Sequence, residues 1–245
     1  MTDRRLSRRT LLLAAALALS AGPLGTVPAP AQEAQPHGGA HQGADRHRRP
    51  EDLQRYLRDL DSPSRDEYQK PAEVIAALRL APGMAVADLG SGSGYFTRRF
   101  AQAVGSRGLV YAVDVEPEML AYVERSLPPP AGRAKVEIVL ADPASPRLPP
   151  ASVDLVFVCN VYHHLEDRAA YFARLAAALK PGGRVAIVDF HQDERSGNVG
   201  FPRRHLVARE TVLAEMARAG YRPVREHGFL PRQYFLEFEP VPNAP

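Results

Sequence analysis

Short runs of apolar, mostly β-branched residues alternate with helical segments between residues 85 and 188. Because the apolar residues within these runs are consecutive, both faces of the strands are expected to be buried. Strands separated by helices pair in parallel, and the pattern therefore predicts a doubly wound α/β domain. The strands are predicted at 85–89, 109–113, 136–140, 153–158 and 184–188, with helices at 95–104, 117–127 and 168–179.

Two flanking regions extend this pattern. Residues 51–80 have helical character and are expected to form two pieces, because Pro63 interrupts the segment and Pro71 suits the first turn of a new helix. After the fifth strand, a helix precedes two further strands, and their short connection predicts an antiparallel pair at the edge of the sheet. This helix is predicted at 209–219 and the two strands at 222–226 and 233–239.

The basic excess of the chain lies in its first 31 residues. The chain has 31 Lys and Arg residues against 28 Asp and Glu residues, and a net charge of +3. Without the four arginines and the one aspartate of residues 1–31, the remainder has 27 basic and 27 acidic residues. A neutral remainder without a basic stripe argues against a nucleic-acid partner.

Residues 1–31 have the pattern of a secretory signal peptide. Arginines precede an apolar run at 11–21 that is short for a bilayer span, and an Ala-x-Ala site ends at Ala31. The stretch at 7–12 resembles the twin-arginine signal, whose translocon exports folded proteins. We expect cleavage after Ala31 and a periplasmic or secreted protein without stable membrane insertion; the alternative is an inner-membrane anchor formed by an uncleaved N-terminus. Residues 32–50 then form a flexible polar linker, whose three histidines are typical of a linker rather than of a metal site.

A glycine-rich loop follows the first predicted strand. Asp88 lies near the end of that strand, and glycines occupy positions 90, 92 and 94. Glycines allow a ligand to lie against the backbone, in the crevice where such sheets bind their ligands. The spacing differs from the dinucleotide fingerprint, and no Gly-Lys-Ser/Thr follows as in a P-loop. An acid at this crevice disfavours a pyrophosphate and suits a cationic ligand.

The loop, Asp88-x-Gly90-x-Gly92-x-Gly94, resembles the first motif of class I S-adenosylmethionine-dependent methyltransferases. Four further motifs of that family follow in order, at 112–114, 141–142, 153–156 and 179–183. The residues of these motifs are most similar to those of small-molecule methyltransferases of the ubiquinone-biosynthesis type. The resemblance implies S-adenosylmethionine as the cofactor, a seven-stranded sheet with an antiparallel last strand, and a methyltransferase domain at 81–240.

The resemblance also implies where the cofactor binds. The glycine loop would hold its amino acid part and ribose, Asp114 its two ribose hydroxyls and Asp142 its adenine amino group. Residues 51–80 would form a helical lid over it, in which Tyr68 and Lys70 meet its carboxylate. The expected cofactor-binding residues are Asp88, Gly90, Ser91, Gly92, Gly94, Asp114, Val115, Ala141, Asp142, Asn160, Tyr68 and Lys70.

The segment after the fourth strand contains the candidate catalytic residues. Methyl transfer is an in-line displacement that depends on positioning, and a base is needed only where the acceptor loses a proton. Tyr162 is expected to line the crevice, and His163 or His164 is a candidate general base near neutral pH. The alternative is that one histidine anchors its loop by hydrogen bonds. Cys159, the one cysteine, is interpreted as a small buried residue rather than a nucleophile.

Residues 189–191 are expected to form another wall of the acceptor pocket. No metal site is predicted, although these residues and the two histidines would supply ligands if the loops brought them together. The leading functional hypothesis is methyl transfer from S-adenosylmethionine to a small-molecule acceptor. The alternatives are an exported S-adenosylmethionine-binding protein without turnover, and a methyltransferase that acts on a protein or peptide.

Overall fold

The computed structural model describes residues 52–200 and 202–242. The predicted signal peptide and linker lie outside the described residues. The helices are α1 Leu53–Leu60, α2 Arg65–Gln69, α3 Pro71–Leu78, α4 Tyr95–Val104, α5 Pro117–Ser126, α6 Arg168–Leu175 and α7 Arg209–Arg218. The strands are β1 Ala85–Leu89, β2 Leu109–Asp114, β3 Lys135–Leu140, β4 Val153–Cys159, β5 Leu179–Phe190, β6 Tyr221–His227 and β7 Gln233–Pro240. No helix in the described ranges is long and apolar enough to cross a membrane.

The seven strands form one sheet in the order β3-β2-β1-β4-β5-β7-β6. β1 to β5 are parallel, and β7 runs antiparallel to both β5 and β6. The predicted doubly wound α/β fold with an antiparallel last strand is therefore confirmed. The chain winds outward from β1 in one direction and from β4 in the other, so a crevice opens at the carboxyl ends of these two strands.

The core lies on both faces of the central strands. Every residue of β1 is buried, as the run of consecutive apolar residues predicted. β3 differs, because it lies at the edge of the sheet and exposes Ile138 and Leu140. The expectation that all predicted strands are buried on both faces is thus wrong for this strand.

The region before β1 contains three short helices instead of two. α3 begins at Pro71 as predicted, and the additional helix is α2, which Lys70 separates from α3 with a left-handed φ of 42°. A residue that precedes proline is disfavoured in the right-handed helical conformation, and Pro71 then begins α3. Arg65 and Tyr68 therefore lie on a helix of their own, α2, which packs over the end of the sheet beside β1 and β4.

Candidate functional site

A cavity of about 830 Å³ lies at the carboxyl ends of the parallel strands. Residues at the ends of β1 to β5 form its floor, and side chains of α1 and α2 form its roof. It contains most of the residues that the sequence motifs singled out. The predicted residues that line it are Asp88, Gly90, Ser91, Gly92, Asp114, Val115, Ala141, Asp142, Asn160, Tyr68, His163 and His164.

The glycine loop is held closely against two neighbouring segments. The amides of Gly90 and Ser91 both donate to the carbonyl oxygen of Val113, at 2.8 and 3.0 Å. A Cβ atom at Gly90 would lie 2.2 Å from Cγ2 of Val161, and the φ of Gly90 is +74°. Only glycine fits this position without displacing the segment that follows β4. The loop backbone consequently stays open to the cavity.

The two acids at the ends of β2 and β3 are oriented by hydrogen bonds. Asp114 accepts the amide of Gly92 at 2.8 Å and that of Glu116 at 3.1 Å. Asp142 accepts the amide of Ala144 at 3.1 Å and Nε of Arg147 at 3.0 Å. Both carboxylates keep further acceptor capacity for ligand hydroxyl or amino groups, because each oxygen has two lone pairs.

Asp88 is a buried carboxyl group in the floor of the cavity. Asp88 is 3% exposed, and the hydroxyl of Thr97 donates to its Oδ2 at 2.6 Å. Burial raises the pKa of Asp88 to about 6, although the Thr97 hydrogen bond and the positive charge of Arg65 oppose this rise. A cationic ligand in the cavity would favour the ionised form of this carboxyl group.

Arg65 is a lining residue that the motifs did not indicate. Its Nη1 donates to the carbonyl of Leu60 at 2.9 Å, and its guanidinium lies 4.1 Å from the ring centroid of Tyr95. Its Nε and the Oγ of Ser91 are buried and have no hydrogen-bond partner among the residues that the structure describes. Two such atoms at one cavity fit a polar ligand that supplies the missing partners. The sequence signal that could have indicated Arg65 was its position three residues before Tyr68, on the same helix face.

Three predicted site residues do not line the cavity, namely Lys70, Gly94 and Tyr162. Lys70 occupies the junction between α2 and α3, and Gly94 caps the start of α4. Tyr162 is fully buried, and its hydroxyl donates to Oε2 of Glu215 on α7 at 2.8 Å. This corrects the expectation that Tyr162 lines the crevice, because its side chain is directed into the core beneath α7.

His163 and Asp189 form a buried pair between the ends of β4 and β5. Nδ1 of His163 lies 2.8 and 2.9 Å from the two carboxylate oxygens of Asp189. The ring of His164 is 4.1 Å from that of His163, centroid to centroid. His191 is not a lining residue, and its ring packs against Tyr234. In the described part of the chain, no three His, Cys, Asp or Glu side chains group as they would around a metal ion.

Cys159 ends β4 and borders the cavity. Burial raises the pKa of its thiol to about 12, against the opposing charge of Arg65. The thiol is therefore protonated near neutral pH and does not act as a thiolate nucleophile. This agrees with its interpretation as a small buried residue.

Three amide side chains join the roof of the cavity to its floor. Nε2 of Gln233 donates to Oδ1 of Asn160 at 2.6 Å, and Nδ2 of Asn160 donates to Oε1 of Gln69 at 3.3 Å. Nε2 of Gln69 donates in turn to Oε1 of Gln233 at 3.1 Å. We call Gln69, Asn160 and Gln233 the amide cluster. It connects the last residue of α2, the residue after β4 and the first residue of β7.

The end of the cavity beyond β4 is aromatic and contains an arginine. The rings of Tyr68 and Phe190 are 5.9 Å apart, and the guanidinium of Arg232 lies 4.6 and 5.5 Å from their centroids. Nε of Arg232 donates to the carbonyl of Ser196 at 2.6 Å, and Nη2 to that of Asn198 at 2.8 Å. We call Tyr68, Phe190 and Arg232 the acceptor end of the cavity, because Phe190 belongs to the segment that is expected to form a wall of the acceptor pocket.

The chain is similar to known methyltransferases in sequence. Residues 87–187 match the model of a family described as a methyltransferase domain. An uncharacterized methyltransferase of Mycobacterium tuberculosis is 36% identical over 168 residues, which are 67% of this chain and 59% of the relative. A ubiquinone/menaquinone biosynthesis C-methyltransferase of Shewanella piezotolerans is 30% identical over 109 residues, which are 44% of this chain and 43% of the relative. The chain thus spans about half the length of the curated relatives it matches.

A solved structure agrees with this similarity. The SAM-dependent methyltransferase from Aquifex aeolicus is 28% identical, with a TM-score of 0.69, over 78% of this chain and 99% of that one. The fold, the ordered motifs and these similarities identify residues 87–187 as a class I S-adenosylmethionine-dependent methyltransferase domain, with S-adenosylmethionine as its cofactor.

Proposed function

We propose that the protein transfers a methyl group from S-adenosylmethionine to a small-molecule acceptor by in-line displacement. The observation that carries the proposal is the extent of the cavity beyond the glycine loop. It continues from Asp142, after β3, to Arg232, before β7. These strands are five positions apart in the sheet, a width of about 24 Å at about 4.8 Å per strand.

The extent of the cavity, rather than its volume, supports a second ligand beside the cofactor. Its volume of about 830 Å³ lies within the range of about 300 to 1,000 Å³ that pockets for single drug-sized ligands have. The family motifs occupy the part at β1 to β4, whereas Phe190 and Arg232 line the remainder. A roof of α1 and α2 side chains covers the site, which favours a small acceptor over a protein surface.

In this proposal, different residues of the cavity bind different groups of the donor. Asp114 and Asp142 present acceptors to its hydroxyl and amino groups, and Asp88 places negative charge in the floor beneath its cationic part. We assign its carboxylate to Arg65 and Ser91, because both have an unsatisfied buried polar atom at the cavity. An arginine binds a carboxylate through charge-assisted hydrogen bonds. When bound, S-adenosylmethionine supplies a methyl group on a sulfonium sulfur that departs as a neutral thioether.

The roof is anchored by hydrogen bonds of the turn between α1 and α2. Asp61, after α1, accepts the hydroxyl of Ser93 at 2.7 Å, Nη2 of Arg98 at 2.7 Å and the hydroxyl of Tyr122 at 3.0 Å. These bonds fix the turn between α1 and α2 on the glycine loop, α4 and α5. Because transfer depends on positioning, a fixed roof contributes by holding donor and acceptor in line.

Calorimetry with S-adenosylmethionine and its demethylated product tests donor binding. Arg65→Gln is expected to lower donor affinity at least about tenfold, a loss of about 1.4 kcal/mol. Arg99→Gln is the matched control, since its guanidinium lies 4.0 Å from the same Tyr95 ring but Arg99 does not line the cavity. Equal affinities for the two variants would contradict the assignment of Arg65. No binding by the wild-type protein would overturn the proposed function.

Transfer itself is tested with methyl-labelled S-adenosylmethionine and a bacterial extract. Ultrafiltration separates the extract into small molecules and proteins before the reaction. We expect the label in the small-molecule fraction only. Label in proteins alone would favour the protein or peptide methyltransferase, and binding without any transfer would favour the binding protein.

We also propose that residues 1–31 direct the protein to the periplasm through the twin-arginine translocon. The support is the order of charged, apolar and small residues in that segment. Arg8→Lys together with Arg9→Lys should retain the protein in the cytoplasm, as measured by cell fractionation. A native protein that keeps Met1 and fractionates with membranes would instead indicate the uncleaved anchor.

A further inference from the structure

The His163–Asp189 pair has the geometry of an oriented base. The side chains of His163 and Asp189 are 2% and 1% exposed. Asp189 also accepts the backbone amides of His163 and Phe190, at 3.2 and 2.8 Å. Because a carboxylate only accepts hydrogen bonds, Nδ1 of the neutral imidazole carries the proton and Nε2 carries the lone pair. The pair therefore fixes both the orientation and the tautomer of the ring.

A loop anchor does not account for this arrangement by itself. The backbone amide of His163 already joins the segment after β4 to the Asp189 carboxylate near the end of β5. The imidazole adds a basic nitrogen on a residue that lines the cavity. Phe190, one wall of the acceptor end, lines the same cavity as His163.

The acceptor end fits a planar aromatic molecule. Tyr68 and Phe190 offer two ring faces, and Arg232 adds a guanidinium above both rings. Aromatic rings stack on such faces, and a guanidinium is attracted to a ring face as well. The carbonyls of Ser196 and Asn198 hold the guanidinium in place.

We propose that the acceptor is an aromatic hydroxyl compound, that His163 is its general base, and that Asp189 is the positioning residue of that base. This inference rests on the proposed function. A phenolic hydroxyl has a pKa of about 10 and is almost wholly protonated at neutral pH, so its oxygen needs a base to become a good nucleophile. The O–H bond breaks and its proton passes to Nε2 of His163. The oxygen forms a bond to the methyl carbon, and the carbon–sulfur bond breaks with its electron pair left on sulfur.

Among the described residues, three titratable groups lie around the pair, namely His164, Cys159 and Tyr234. The ring of His164 lies beside that of His163. The charge of Asp189 also acts on Cys159 at the end of β4 and on Tyr234 of β7, in both of which burial is the larger cause of a raised pKa. Cys159 and Tyr234 therefore stay protonated near neutral pH. His164→Gln shows whether the pH profile depends on the neighbouring histidine.

The experiment measures methylation of a series of phenols, from catechol to the more acidic 4-nitrophenol, across pH 5 to 9. His163→Gln should lower kcat/KM about 100-fold or more, the range of general-base catalysis, and should abolish the acidic limb of the pH profile. The loss should be smallest for 4-nitrophenol, because it ionises without help. Asp189→Asn should lower kcat with little change in KM. His191→Gln is the matched control, as a histidine near the same strand end that does not line the cavity.

Calorimetry supplies a readout that is independent of turnover. Affinity for S-adenosylmethionine should be unchanged in His163→Gln, whereas a merely structural histidine would weaken it together with kcat. An acidic limb that persists in His163→Gln would overturn the inference, as would methylation of amines, thiols or ring carbons but not of phenolic oxygens. Absent donor binding, or transfer to proteins alone, would contradict the proposed function itself.

Discussion

Gly90→Ala tests whether the glycine loop is shaped by its contact with the segment after β4. The added Cβ would lie 2.2, 2.9 and 3.1 Å from Cγ2, Cγ1 and Cβ of Val161. Val161 or the loop must move, and the hydrogen bonds from residues 90 and 91 to the Val113 carbonyl must lengthen. Both changes distort the part of the cavity that is expected to hold the donor.

The loss of stability in Gly90→Ala has two contributions, and a control variant separates them. Alanine at a left-handed φ costs about 1 to 2 kcal/mol, and overpacking a buried contact costs about 1 to 3 kcal/mol. Gly132 has a similar φ of +78°, but no heavy atom lies within 4 Å of its added Cβ. Gly132→Ala should therefore lower the free energy of unfolding by the first amount alone, and Gly90→Ala by both.

Urea unfolding measures stability, and calorimetry with S-adenosylmethionine measures donor affinity. Gly90→Ala should bind the donor at least about tenfold more weakly, whereas Gly132→Ala should bind it normally. In the double variant Gly90→Ala/Val161→Ala, the two closest contacts are removed, and part of the lost stability should return as a favourable coupling energy. Equal destabilisation by the two glycine substitutions, or no coupling with Val161→Ala, would refute the reasoning.

Three further changes have defined outcomes. The pKa of Asp88, about 6 against the usual 3.8, means that the folded protein holds this proton more tightly, so stability is lost as pH rises from about 4 to 6; urea unfolding should show the wild type losing about 2 kcal/mol relative to Asp88→Asn across that window. Tyr162→Phe removes the hydrogen bond to Glu215 and should cost about 1 to 3 kcal/mol in thermal unfolding, with donor affinity unchanged in calorimetry. Arg184→Met should cost about 3 to 5 kcal/mol in urea unfolding, because the buried Glu237 loses its arginine; a loss below 1 kcal/mol would show that this pair is not needed.

The fold was predictable because the pattern of apolar residues that defines each strand and helix lies in consecutive residues. β1 and α4 have the predicted bounds, since a buried central strand and an amphipathic helix show their pattern without reference to neighbours. The exposed face of β3 was not predictable from its own residues, because edge position depends on the order of the strands. The start of a helix at Pro71 was predicted from the proline itself, whereas the left-handed φ of Lys70 before it was not, since it leaves little trace in the sequence.

The candidate site was predictable where backbone geometry decides it. The glycine loop and the acids after β2 and β3 line the cavity because strand ends in parallel sheets meet at one edge. Tyr162 was placed wrongly because the chain leaves β4 through Asn160 with a left-handed φ of 58°, and this turn sets the direction of the following side chains. Arg65 was missed because its role depends on how α2 packs over the sheet, which no motif encodes.

The amide cluster makes the two ends of the cavity dependent on each other. Gln69 and Gln233 are 0% and 1% exposed. Breaking a hydrogen bond of the cluster therefore costs stability unless another bond replaces it. Gln69 ends the helix that carries Arg65, and Gln233 follows Arg232, whereas Asn160 lies three residues before His163. A movement of the roof that admits the donor must therefore stretch bonds to the segments that carry the acceptor end and the proposed base. Gln233→Leu leaves Asn160 and Gln69 without their shared partner, and should weaken donor binding in calorimetry although residue 233 does not line the cavity; unchanged donor affinity would show that the roof moves independently of the sheet.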